Sequence, residues 1–89
     1  MAEICRFKFK EGVSKELIEE QMALAIVTAE CTFGQARVRL HGSYAASDGK
    51  AAIDVSNKVG EHIAQVFTGL MIRTVGEENF TVERIRKQD

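Results

Sequence analysis

The sequence predicts an α+β fold, a two-layer sandwich with the element order βαββαβ. Three observations carry that prediction. Each half of the 89-residue chain shows a strand-like alternation, then a long helical pattern, then a second alternation. An Asp48-Gly49 pair between the halves supplies the positive φ that a tight hairpin needs. No proline interrupts any element.

The first strand is read from Cys5-Arg6-Phe7-Lys8-Phe9-Lys10, where apolar and basic side chains alternate with period two, leaving one face buried and one wet. Glu11-Gly12 breaks it. The first helix runs from Ser14 to Phe33. Ser14 is a good N-cap, with Val13 and Ile18 at the flanking staple positions. Glu16, Glu19 and Glu20 fall where the helix dipole favours acids. Leu17, Ile18, Met22, Ala25, Ile26 and Ala29 make an apolar stripe, and Gly34 stands at the C-terminal cap. The block Met22 to Ala29 is apolar nearly all round, which predicts burial on more than one side.

Ala36, Val38 and Leu40 alternate with Arg37, Arg39 and His41, which predicts a second strand that Gly42 bends. Ser47-Asp48-Gly49-Lys50 turns it back into a third strand, Ala51–Ser56. Ser56 or Asn57 caps a second helix, Lys58–Val75, with the stripe Val59, Ile63, Val66, Phe67, Leu70 and Met71. Gly60, Ala64 and Thr68 form a small-residue line suited to close packing. The last strand spans Asn79–Arg86, and Lys87-Gln88-Asp89 is a frayed end.

In this order the chain resembles the ferredoxin-like, split βαβ sandwich over most of its length. The resemblance is one of topology and implies strands ordered 4-1-3-2, all antiparallel, with two helices on one face. The opposite face is then open. It carries Arg6, Lys8, Lys10, Arg37, Arg39 and His41 against Asp54 and Glu83, a basic plane on a chain of net charge −1. Such an architecture does not by itself name a function.

The length gives one domain, residues 1–89. The start, Met1 to Arg6, has no apolar leader pattern, and no apolar run reaches the length of a membrane span. With two cysteines far apart, a reducing cytoplasm is expected. Cys5 sits on the core side of its strand as an inert thiol, and Cys31 lies at a helix C-terminus that disfavours a thiolate. His41 and His62 are expected at the surface, without the further ligands that zinc requires. The loop after the first strand lacks the paired cysteines of a metal chaperone and the glycine-rich arginine loop of an acylphosphatase. P-loop and dinucleotide motifs are absent. No cofactor is implied, and no acid–base pair is readable around His41, Ser43 and Tyr44.

These features point to a non-catalytic binding or assembly module that acts as a homodimer. Met22, Leu24, Ile26 and Val27 of the first helix, or an edge strand, would carry the self-contact. Arg6, Lys8, Arg37, Arg39, His41 and Tyr44 would be available to an acidic protein or another partner. The alternative is nucleic-acid binding through Arg6, Lys8, Arg37 and Arg39, although the RNA-recognition motif and its exposed aromatics are missing. A plain solvated sheet, with Arg6 and Lys8 paired to Asp54 and Glu83, is the reading against which both stand.

Overall fold

The computed structural model describes residues 2–87. Four strands, β1 (Ala2–Phe9), β2 (Tyr44–Ser47), β3 (Lys50–Asp54) and β4 (Phe80–Lys87), form one sheet in the order β2-β3-β1-β4. Every neighbouring pair is antiparallel. Three helices accompany them: α1 (Lys15–Phe33), α2 (Gln35–His41) and α3 (Lys58–Thr74), with a 3-10 turn at Glu77–Asn79. The strand order is the one the sequence implies; the helix count is three where two are expected. Of the expected frayed end, Gln88 and Asp89 lie outside the described residues.

The extra helix replaces the first half of the expected second strand. Residues 36–41 alternate, but a six-residue alternation does not separate period two from period 3.6 when only one position needs burial. Here only Val38 turns inward, while Leu40 is 80% exposed. Gln, Ala, Arg and Leu are good helix formers, so local propensity favours the helix. Gly34 makes the junction. Its N–H donates to the Glu30 carbonyl and its own carbonyl accepts from Val38 N–H, closing α1 and opening α2 at φ 91°. That backbone region is essentially reserved for glycine.

The other caps follow the sequence. Ser14 Oγ accepts from Leu17 N–H at 3.1 Å, and Asn57 Oδ1 accepts from Gly60 N–H at 2.9 Å. Ser56, the other capping candidate, instead accepts from Glu3 N–H at 2.9 Å and ties the end of β3 to β1.

The core lies between the sheet and the helices. Phe7, Ala51, Ile53 and Phe80 of the sheet meet Ile18, Met22, Ala25 and Ala29 of α1, Val38 of α2, and Ile63, Phe67 and Met71 of α3. Phe67 stands edge-on to Phe7 with ring centroids 5.0 Å apart, a favoured aromatic geometry. Gly60 sets how closely α3 approaches: a Cβ there would fall 1.8 Å from the Asp54 carbonyl oxygen. The small-residue line from Gly60 through Ala64 thus seats the helix on the sheet. All the core side chains leave the sheet on one face, so the other face has no helical cover.

Candidate binding face

Strand register fixes what the uncovered face displays. Directly opposed residues of an antiparallel pair share a face. Arg6 lies between Ala52 on β3 and Glu83 on β4; Lys8 lies between Lys50 and Thr81. On β2, Ala45 and Ser47 continue those rows beside Ala52 and Lys50. Since Phe7 and Ala51 point into the core, these neighbours point away from it. Arg6, Lys8, Lys50 and Glu83 are exposed; Ile4 and Ile85 form a half-buried apolar spot at one end. A shallow depression of about 160 Å³ is bordered by Arg6 and Lys50 and floored by Ala45, Ser47 and Ala52.

The electrostatics of this face are only partly compensated: Arg6 has Glu83 as its direct cross-strand neighbour, whereas Lys8 and Lys50 have no acidic one. Lys8 and Lys50 are direct cross-strand partners, and like charges so placed are destabilising. Of the pairing that a plain solvated sheet would use, the register sets up only Arg6 opposite Glu83. Among the described residues no ion pair within 4.0 Å involves Arg6, Lys8, Lys10 or Lys50. Asp54 is engaged elsewhere, accepting from Ser56 N–H at 2.8 Å. No aromatic ring stands here: Phe7, Phe9 and Phe80 leave the sheet toward the helices, and Phe33 and Phe67 belong to the helices themselves.

Four residues expected on this face lie elsewhere. Arg37, Arg39 and His41 are on α2, in the helical layer, because their segment is a helix. The Arg37 guanidinium stacks over the Phe33 ring at 4.9 Å. Arg37 and His41 also line a separate cleft of about 320 Å³ with Asn57, Lys58 and Val59, between α2 and the start of α3. Tyr44 is on the sheet, but it pairs with the fully buried Ile53 and so faces the helix side. The residues actually brought together are Arg6, Lys8 and Lys50. Lys50 was legible: Ala51, Ile53 and Val55 alternate inward, which turns Lys50 outward, but its place in the turn signal hid it.

The expected self-association residues separate into two environments. Met22 is buried in the core and Ile26 packs against it. Leu24 and Val27 lie on the outer side of α1, 50% and 51% exposed. Between α1 and β2 runs a groove of about 380 Å³, lined by Glu19, Met22, Ala23, Ile26, Tyr44, Ala45 and Ala46.

The remaining reactive groups are scattered. Cys5 borders a groove of about 420 Å³ beneath α3, opposite Arg84; burial pushes its thiol above the ordinary value. Cys31 is exposed. His62, expected at the surface, is half-buried edge-on to Phe33, and its Nε2 has no hydrogen-bond partner. Glu3 accepts from Arg84 Nε at 2.8 Å and pairs with Arg86 at 2.9 Å, clamping β1 to β4. The Arg84 hydrogen bond is the main reason its carboxyl is held below the usual 4.5. Among the described residues no group of three or more His, Cys, Asp or Glu side chains is placed to hold a metal ion. No described helix is long and apolar enough to cross a membrane.

Comparison of the chain with protein-family models, with curated proteins and with solved structures finds no match.

Proposed function

We propose that the chain is a non-catalytic binding or assembly module. It works in the cytoplasm as a homo-oligomer and presents the open sheet face to an acidic protein partner. The juxtaposition of Lys8 and Lys50 beside Arg6 carries this reading. Among the described residues none of the three cations has a carboxylate within ion-pair distance, and only Arg6 has an acidic cross-strand neighbour, Glu83, so an anionic partner would supply the compensation for Lys8 and Lys50. The strand order also supports the ferredoxin-like assignment, with α2 as an insertion between the first helix and β2. Nucleic acid is the weaker candidate, because bases would find no aromatic platform on this face.

Fluorescence anisotropy tests the reading, with a labelled oligoglutamate peptide and a labelled single-stranded oligonucleotide as probes at low ionic strength, about 0.01–0.02 M, where exposed charges are least screened. The peptide is expected to bind the wild type, to bind Arg37→Ala equally well, and to lose at least about tenfold in affinity with Lys8→Ala or Lys50→Ala, a change of about 1.4 kcal/mol. Undiminished binding by Lys50→Glu, or no peptide binding at all, removes the reading. Tighter binding of the oligonucleotide transfers the face to nucleic acid.

A further inference from the structure

We infer that two copies of the chain pair edge to edge through β2, antiparallel about a two-fold axis at Ala45, so that their sheets become one. This rests on the homo-oligomer reading above and specifies the contact.

The ladder shows which groups β2 leaves free. Asp54 N–H donates to the Ser43 carbonyl at 2.9 Å, so Ser43, Ala45 and Ser47 bond toward β3. The N–H and C=O of Tyr44 and Ala46 therefore point outward, two donors and two acceptors on an open edge. Pairing about Ala45 sets Tyr44 of one copy opposite Ala46 of the other and satisfies all of them. It also matches a large side chain to a small one on the helix side. Tyr44 is 52% exposed, and it borders the groove that α1 shares with β2. In the pair the two grooves face each other, and the two tyrosines lie between them.

The other edge is guarded. β4 carries Glu83, Arg84 and Arg86, and charges along an edge oppose strand addition. β2 carries no charged residue and no proline. Association through β2 alone gives a closed pair rather than a growing sheet. The principal extents of the molecule are 34, 32 and 18 Å, so a narrow flank of it buries at most about 600 Å² per copy. Twice that area, about 1,200 Å², is only the low end for a stable interface, so a weak, concentration-dependent pair is expected. On the open side Ala45 meets its copy, and the two cationic clusters fall on one continuous face.

Sedimentation equilibrium between about 5 and about 200 µM tests the pairing over the range where a weak pair is populated. The wild type is expected to dimerise. Ala45→Lys and Ala45→Glu, at an exposed position, are each expected to be monomers with unchanged circular dichroism, and their equal mixture to recover the dimer. Val27→Glu, on the outer side of α1, is expected to dimerise like the wild type. As a second readout, Ala45→Cys in a Cys31→Ser background is expected to form an interchain disulfide on oxidation, because non-hydrogen-bonded partners lie about 4.5 Å apart at Cα. A wild type that stays monomeric, dimeric Ala45→Lys, or monomeric Val27→Glu overturns the inference. A dimer that ignores the acidic peptide sinks the basic-face reading alone, and a peptide-binding monomer sinks the edge pairing alone.

Discussion

Lys50 stands where a stabilising choice would be Thr or Glu. It faces Lys8 across the strand pair and, among the described residues, gains no counter-ion. Lys50→Glu replaces a repulsive cross-strand pair by an attractive one, so thermal melting is expected to show it more stable by about 0.5 kcal/mol. A residue that costs stability and controls peptide binding would be doing so for the partner; an unchanged or lowered melting temperature contradicts that view. Glu3 is the opposite case. Its carboxyl is held below 4.5 by Arg84, so the folded state prefers the ionised form. Its contribution is present above the unfolded-state value and is lost as pH falls through the folded value. Glu3→Gln is therefore expected to lower the melting temperature at neutral pH and to flatten its decline below pH 4.5. Parallel pH profiles for variant and wild type would show that the clamp is not ionic.

Among the elements, α3 depends most on one small residue. Gly60→Ala would drive a Cβ into the Asp54 carbonyl, and backbone cannot yield as a side chain does. Chemical denaturation is expected to show a loss of at least about 1–3 kcal/mol, the range for overpacking; a neutral result would mean that α3 slides freely on the sheet. Gly34→Ala, at φ 91° between α1 and α2, is expected to cost about 1–3 kcal/mol by strain alone. These elements also show what could be read in advance. Ser14, Asn57 and the Asp48-Gly49 turn act locally, so their effect is visible in adjacent residues, and β1 declares its two faces by strict alternation of Phe and Lys or Arg. The strand order came from the resemblance to the ferredoxin-like sandwich, not from these pieces alone. Residues 36–41 did not yield, because Val38 is the only buried member and one point cannot fix a period. With that segment helical, Arg37, Arg39 and His41 leave the basic plane. Tyr44 was hidden for another reason: its face depends on the hairpin register with Ile53, a non-local quantity. His62 was misplaced because the ring that covers it, Phe33, comes from a different helix.

At the scale of the molecule, the net charge of −1 hides an uneven distribution of charge over the surface. Exposed Glu16, Glu19 and Glu20 occupy α1, and Arg6, Lys8 and Lys50 occupy the uncovered face. A partner approaching the sheet meets a positive field at short range, weakened beyond about 8–10 Å at physiological salt. Steering is thus local, and binding should weaken as salt rises. Edge pairing through β2 would place two such faces side by side and give a divalent partner an advantage in avidity of about a hundredfold or more. The central claim is that the uncovered face of the sheet is the working surface. Its most direct test is a titration of the isotopically labelled protein with the acidic peptide, followed through backbone amide chemical shifts. The account predicts shifts concentrated at Arg6, Lys8, Lys50 and Ala52, with α2 unmoved. Shifts confined to Arg37, His41 and Lys58, around the cleft between α2 and α3, would contradict it.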